Sequence, residues 1–434
     1  MSLKLAASLM TQRRYLPMWI GQVFGAFNDN LFRWSLVVLA TFEGLTVFDL
    51  PPDQMTPIAA TIFTLPIFLF SAVAGQVADR YDRTKIMRVL KFIEIFLMIA
   101  AAIGFIFSLP FVLLGVLFMM GVQTAFFIPA RTSAMPTLMA PSELVTANAV
   151  MSGAINVAIL GGAIGATLLI AQAGGPLIVG GVLIVVAILG WLGMRQGAPA
   201  PAFDPQLKVS ANIVAETVRM LGFLWRAKDV FRPAVGVAWF WMMSAAVLTV
   251  LPLFARNALG ADESVVAFFQ VLFTLGAMLG ALATGVLNRG EDALIFTVIG
   301  AAGLVVFAGD LALSTGGGAP PDGVLVALPA FLADPANRRV MIDLFGAAVS
   351  GGLFLVPLLA MAQRRADPER RGRLLAAAGI LNGAAATLGP FVLFFLARLG
   401  LPVEAAFWFV AFGSGVAGLF FAWRMMVRRR EAAA

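Results

Sequence analysis

Neither cysteine nor histidine occurs anywhere in this sequence. Disulfide staples, thiol nucleophiles, Ser–His triads and the usual zinc and haem ligand sets are thereby excluded. No cofactor is expected, and any proton handling falls to Asp and Glu. Charge is scarce as well. Of 434 residues, 12% are Asp, Glu, Lys or Arg and 61% are hydrophobic. The mean hydropathy is +0.94. A soluble chain of this size cannot bury so much apolar surface. The apolar runs lack period-2 alternation and are each about 20 residues long, which excludes a β-barrel. No cleavable leader is evident, so the first run is expected to double as the targeting signal. What remains is a polytopic helical membrane protein.

The run Leu16–Phe42 is long enough to cross a bilayer, for which about 20 residues suffice. Yet Gln22, Asn28, Asp29, Asn30 and Arg33 lie inside it. An ionised Asp or Arg at the centre of a span costs roughly 2.5–3.5 kcal/mol on insertion scales. Gln22, Gly25, Asp29 and Arg33 recur at helical spacing and form one small or polar face. Such a stripe is expected to face a protein interior or a water-filled cavity, not lipid. Asp29 and Arg33 stand four apart, Asp first, the favourable order for an intrahelical pair. Two readings follow. The pair is self-neutralised and structural, or Asp29 binds a substrate ammonium or coupling cation and Arg33 a phosphate.

Twelve spans are expected, from 16–42 to 402–426. Residues 1–195 form an N-terminal six-helix bundle and 232–434 a C-terminal one. Residues 196–231 form a cytoplasmic linker with an amphipathic helix over about Lys208–Lys228. There Leu221, Leu224 and Trp225 are expected to face the membrane, and Glu216, Arg219 and Arg226 water. All but five of the 30 basic residues (Arg33, Arg256, Arg338, Arg339 and Arg398) lie at the termini, the even-to-odd loops and the flanking helix ends. This bias puts both termini in the cytoplasm. The clusters Arg80/Arg83/Lys85/Arg88, Arg364/Arg365/Arg370/Arg371/Arg373 and Arg428/Arg429/Arg430, with the net charge of +7, read as topology anchors beside anionic lipid rather than a nucleic-acid surface.

The halves look related. Phe127-Ile128-Pro129…Asn156…Gly165 has a counterpart in Leu355-Val356-Pro357…Asn382…Gly389. Duplication of six spans is the pattern of a rocking carrier with its site between the halves. Asn156 and Asn382 are expected to hydrogen-bond between helices, in a structural or gating role. The connection 314–339 is rich in Gly, Pro and Asp, and its apolar piece Val324–Phe331 is expected to graze the membrane surface.

Between the second and third spans lies Gly75-Gln76-Val77-Ala78-Asp79-Arg80-Tyr81-Asp82-Arg83-Thr84-Lys85. Gly75 admits a close helix, Asp79 caps or pairs with a neighbour, and Arg80, Arg83 and Lys85 grip the inner face. Together they form a latch able to hold one conformation. This loop resembles the signature of the major facilitator superfamily, with Asp82 where Gly is common. Gly285-Val286-Leu287-Asn288-Arg289-Gly290 is a degraded second copy. In the first span, Gln22-x-x-Gly25-Ala26-Phe27-Asn28-Asp29-Asn30-Leu31 resembles the start of the bacterial lysophospholipid transporters. Matching pieces follow at Pro129-Ala130-Arg131, Glu143–Asn148, Gly161–Gly165 and Gly351–Leu358.

The resemblance implies the major facilitator fold: an all-α integral membrane protein of twelve helices in two pseudo-symmetric bundles. It implies a carrier moving a lysophospholipid such as lysophosphatidylethanolamine from the outer to the inner leaflet of the bacterial inner membrane. A cytoplasmic acyltransferase would then re-acylate the lipid. A monomer is expected. Some members carry a basic residue within span 7, whereas Phe240–Leu251 has none.

The residues support a one-chain lipid independently. Gln22, Asn28, Asp29, Asn30 and Arg33, with Gln123, offer a polar pocket for the head group. Phe126/Phe127, Trp239–Met243 and Phe268/Phe269/Phe273 offer apolar contacts for a tail, Trp241 among them. Arg131 would draw phosphate to the cytoplasmic mouth. A proton-coupled exporter of drugs or amphipathic metabolites, working through Asp29, is the alternative. A membrane-embedded enzyme would need clustered carboxylates, and Asp310 and Asp343 lie far from Asp29 in sequence.

Overall fold

The computed structural model describes residues 3–46, 50–140, 142–170, 172–210, 212–287, 294–313, 325–367 and 371–433. The first helices are α1 (Leu3–Leu9), α2 (Leu16–Phe42), α3 (Pro52–Arg80), α4 (Arg83–Ile106), α5 (Pro110–Leu138), α6 (Leu144–Ile170) and α7 (Gly175–Arg195). After α8 (Ile213–Arg226) come α9 (Lys228–Asn257), α10 (Glu263–Leu287), α11 (Leu294–Leu313) and α12 (Leu328–Ala333). The chain continues with α13 (Asn337–Arg365), α14 (Arg371–Arg398) and α15 (Ala405–Ala433). Among the described residues, 11 helices are long and apolar enough to cross a membrane: α3 to α7, α9 to α11 and α13 to α15. Helix α2 has 27 residues, but its embedded polar side chains lower its hydropathy and it is not among them.

The chain divides into two compact units. One comprises Met1–Asp49 and Ile62–Arg219, the other Leu50–Thr61 and Met220–Ala434. Three helix pairings recur in the two units. The first long helix packs on the fifth, as α2 on α6 and α9 on α14. The third packs on the fourth and sixth, as α4 on α5 and α7, and α11 on α13 and α15. Glycine makes the first-to-fifth contact possible in both. A Cβ on Gly162 of α6 would collide with the Phe27 carbonyl oxygen of α2 and lie 3.0 Å from the Leu31 nitrogen. A Cβ on Gly389 of α14 would collide with the Met242 carbonyl oxygen of α9. Helices in lipid approach this closely through small residues, because packing rather than solvent exclusion holds them.

At one end of the first unit the core is rich in thioethers. Met18, Met87, Met135, Met139, Met151 and Met194 are buried together with Tyr15 and Phe127. Methionine fills irregular gaps with little strain.

Two local expectations are corrected. In α8, Leu224 is fully buried, packed with Val230, Ala234, Leu374 and Ala377, so it does not face lipid. Glu216 is also buried and accepts from Arg219 at 2.5 Å, while Val214, Val218 and Trp225 are exposed. The intervening Leu224 face is wanted by the protein core, which outcompetes the membrane surface for it. Phe331 likewise does not graze a surface. It is buried against the ring of Phe269 at 5.7 Å. Its segment is tied by Val326 N–H to the Gly260 carbonyl at 2.8 Å and Leu328 N–H to Ser264 Oγ at 2.9 Å. Residues 288–290, 314–324 and Arg370 lie outside the described residues, as do the side chains of Arg371 and Arg428–Arg430.

Candidate functional site

Four helices of the first unit bury one ion pair. Lys91 and Glu94, three apart on α4, are each 2% exposed. Lys91 Nζ donates to Glu94 Oε2 at 2.5 Å. Gln123 Nε2 of α5 donates to the same oxygen at 2.6 Å, and Asn28 Nδ2 of α2 to Oε1 at 3.4 Å. Asn28 also donates to the Leu183 carbonyl of α7 at 3.0 Å. Lys91 Nζ lies 5.1 Å from the Phe127 ring centroid. A Cβ on Gly25 would run into Lys91 Nζ, so the small residue in the α2 stripe is what admits the ammonium. Desolvating two charges is costly and is recovered only when their remaining hydrogen-bonding capacity is met. Glu94, with three donors, meets that condition.

Asp29, one residue along α2, does not. It is part-buried, and its Oδ2 accepts a single long bond from Thr124 Oγ1 at 3.4 Å. Among the described residues no ion pair joins it to Arg33. Arg33 donates instead to Asn30 Oδ1 at 2.7 Å, and Asn30 Nδ2 donates back to the Ala26 carbonyl at 2.8 Å. The Arg33 guanidinium lies 5.4 Å from the Phe63 ring and 6.0 Å from Trp34. The self-neutralised pair considered above is therefore not how these two charges are held. Three amide oxygens on the same helices, Gln22 Oε1, Asn28 Oδ1 and Gln123 Oε1, are buried with no donor among the described residues. The region around Asp29 thus has spare acceptors, and Arg33 has spare donors.

The α3–α4 turn carries the latch motif. Asp79 pairs with Arg83 at 3.8 Å. Asp82 caps α4 by accepting from Lys85 N–H at 2.8 Å, which explains Asp rather than Gly at that position. Arg83 is buried and donates to the Pro201 carbonyl at 2.9 Å and to Thr137 Oγ1 at 3.3 Å. The chain after α7 is strapped over this turn. Thr84 Oγ1 donates to the Ala198 carbonyl at 2.7 Å, and Arg83 N–H to that of Ala200 at 2.9 Å. The Asp79 carbonyl accepts from Phe203 and Asp204 N–H, both at 2.9 Å, and Ser210 N–H donates to Gln76 Oε1 at 2.8 Å. Arg80 lies over Tyr81, 5.3 Å from its ring centroid, and Lys85 is exposed.

A family model described as a transmembrane secretion effector, of the major facilitator type, matches residues 52–315. The chain belongs to this major facilitator family. It is a multi-pass transporter-type protein of the bacterial inner membrane. It is similar to the lysophospholipid transporter LplT of Escherichia coli, 26% identical over 417 residues that span 92% of this chain and 91% of that protein. The same figures describe its similarity to the lysophospholipid transporter LplT of Shigella boydii serotype 4. Among solved structures, a POT family transporter in complex with 5-aminolevulinic acid has a TM-score of 0.70 at 13% identity, covering 94% of each chain. The peptide transporter POT in complex with sulfate has a TM-score of 0.68 at 17% identity, covering 97% of this chain and 98% of that one. At that identity the likeness concerns the fold.

Within this facilitator, the structure brings Asn28, Asp29, Asn30, Arg33 and Gln123 into one polar region of the first unit and leaves other sequence candidates apart from it. Arg131 Nε is buried with no partner among the described residues. Its charge acts on Tyr15, whose hydroxyl donates to the Ala147 carbonyl at 2.8 Å. Burial pushes the Tyr15 hydroxyl up to about 12. Asn156 is exposed, and Asn382 has a buried Oδ1 without a donor. Neither makes the interhelical hydrogen bond expected of it among the described residues. A Cβ on Gly75 would meet nothing within 4 Å, so no close helix rests there among the described residues. Trp241, in the second unit, is 45% exposed. Phe126 packs at 6.3 Å from Phe70, while Phe127 is buried in the core.

Sequence reasoning missed Glu94, and it counted Lys91 among the basic residues of the flanking helix ends, whereas Lys91 lies within α4 and is buried. Their signal was present: a Lys and a Glu three apart inside the apolar third span, the same anomaly that made Asp29 and Arg33 conspicuous in the first.

Proposed function

We propose that this facilitator moves lysophospholipid, of the lysophosphatidylethanolamine kind, from the outer to the inner leaflet by alternating access. The observation that carries the reading is the mismatch around Asp29. The carboxylate has one weak donor, and Gln22, Asn28 and Gln123 each have an unfilled acceptor. A head-group ammonium supplies the missing donors. Arg33, with one N–H used by Asn30, has donors left for the phosphate, which a guanidinium grips in two places. The zwitterion thus meets charges of the opposite sign one helical turn apart. The similarity to the LplT transporters supports the same substrate class. Delivered lipid would be substrate for a cytoplasmic acyltransferase.

The test is transport in vesicles carrying labelled lysophosphatidylethanolamine in the outer leaflet. The protein should shield the label from an external quencher, and Asp29→Asn should slow that by about tenfold or more while expression and thermal stability hold. Accessibility equal to that of empty vesicles removes the lipid reading. Normal transport by Asp29→Asn removes Asp29 from it.

A second reading, export of amphipathic cations, is favoured by the family description as a secretion effector. It predicts that vesicles retain the lipid distribution of empty ones while accumulating an amphipathic cation in an Asp29-dependent way.

A further inference from the structure

On the exposed face where α4 and α7 pack, two arginines lack a carboxylate partner among the described residues. The two helices run antiparallel. Thr84, at the start of α4, bonds to the Ala198 carbonyl just past the end of α7. Two turns further along α4, the rings of Phe92 and Trp191 meet at 5.6 Å. Phe96 extends this aromatic surface, edge-on to Phe92 at 5.2 Å. Phe92 and Phe96 are 46% and 57% exposed, so in a membrane they meet acyl chains. Arg88 stands four residues before Phe92, and Arg195 four residues after Trp191. Four residues rise about 6 Å. Both arginines therefore lie on the same side of the aromatic contact, one turn toward the helix ends.

Their donors are unspent. Arg195 lies over the Trp191 ring, 4.9 Å from its centroid. A ring accepts no conventional hydrogen bond, so the guanidinium keeps its donors for an anion. Arg88 Nε is buried and meets no acceptor among the described residues. The acids at this end of the first unit are engaged elsewhere. Asp79 pairs with Arg83, Glu143 with Arg14 and Glu216 with Arg219. Asp82 caps α4, and Asp204 accepts from Gln206 N–H at 3.1 Å. Glu94 is turned to Lys91 in the buried cluster. A buried guanidinium N–H without an acceptor is costly, and here no side chain removes the cost.

We propose that the α4–α7 face binds one anionic diacyl phospholipid of the inner leaflet. Its phosphodiester sits between Arg88 and Arg195 and gives Arg88 Nε the acceptor it lacks. An acyl chain runs down Phe92 and Phe96. Basic pockets between spans at the cytoplasmic level take anionic head groups in this way, and the basic-residue bias puts this end in the cytoplasm. The exposed rings directly below the two cations favour a lipid over free phosphate. The site is independent of the transport reading. It lies outside the Asp29 region, and its ligand stays in the leaflet with both chains.

Native mass spectrometry of the detergent-purified full chain tests this without transport. The chain is titrated with phosphatidylglycerol and, separately, with phosphatidylcholine of the same acyl chains. One phosphatidylglycerol should be retained about tenfold more strongly than phosphatidylcholine, and Arg88→Gln/Arg195→Gln should abolish that preference. Arg364→Gln, at an exposed cation of the second unit, should leave it intact. Where the double variant does not fold, Arg195→Gln alone, at an exposed position, should lower the preference about threefold or more. Equal retention of the two lipids overturns the proposal, as does a preference that survives loss of the arginines. A loss equally large in Arg364→Gln also overturns it, since that describes diffuse attraction to a basic surface. Displacement of the lipid by millimolar inorganic phosphate does so too, because that describes a simple anion site.

Discussion

Lys91→Met separates a structural role for the α4 ion pair from a substrate-binding one. Breaking a buried pair by removing one partner costs about 3–5 kcal/mol, because the other charge is left uncompensated. Glu94 would keep Gln123 at 2.6 Å and Asn28 at 3.4 Å. The cost should therefore sit at the low end, about 3 kcal/mol. For a unit of roughly 200 residues each kcal/mol moves the unfolding midpoint by about 2–4 °C, so the drop should be about 6–12 °C. The double variant Lys91→Met/Glu94→Gln removes both charges and keeps an acceptor for Gln123. It should recover most of the loss, since neutral replacements of buried pairs are often tolerated. Thermal unfolding of the detergent-purified protein reads both. A single variant as stable as the parent, or a double variant no better than the single, would refute the reasoning. Slower lipid movement by Lys91→Met with an unshifted midpoint would instead assign the lysine to the head group.

Three further outcomes are expected. Gly162→Val, which forces a side chain into the α2 backbone, should cost at least the ~1–3 kcal/mol of an overpacked core, read as lost monodisperse protein or a lowered midpoint. Thr84→Ala removes a 2.7 Å anchor of the strap. At about 1 kcal/mol for such a bond, proteolysis within 198–210 should quicken roughly fivefold, with no change in α5 or α6. Glu143 accepts from Ala140 N–H at 2.9 Å and from Arg14 at 2.7 Å. These bonds, the backbone one first, hold its carboxyl below the usual range. A depressed carboxyl stabilises the folded state above its unfolded-state value and loses that contribution as pH falls through its folded-state one. Amide protection factors around Arg14, which divide out the intrinsic pH dependence of exchange, should therefore fall on acidification in the parent and stay constant over the same range in Glu143→Gln.

The long helices were legible because a bilayer imposes length and apolarity directly, and α2 spans the same Leu16–Phe42 read from sequence. The polar stripe of α2 was legible too, as an expensive choice in an apolar chain. What it touches was not. The partners of Asn28 lie 66 and 155 residues away, on α4 and α7, and no local spacing encodes that. The strap was hidden for the opposite reason. Its bonds from 198–210 run mostly to backbone carbonyls and N–H groups, and those are common to every residue type. Helix α8 misled because an amphipathic pattern states that one face is apolar but not whether lipid or protein covers it. Asp310 showed no partner in the sequence, and only the pairing of α11 with α13 brings Arg339 to it.

The methionine-lined end of the first unit and the glycine seam at Gly162 impose different freedoms on one helix pair. Where Phe27 and Leu31 touch Gly162, backbone lies on backbone and α2 has no play against α6. Toward the Tyr15 end, Met18 of α2 and Met151 of α6 lie in one buried cluster of flexible thioethers that repack at little cost. Helix α2 is in effect clamped at mid-length and cushioned at one tip. Bending rather than sliding is the movement open to it, and a bend pivoting near Phe27 would carry the neighbouring Asn28 and Asp29 least and the Tyr15 end most.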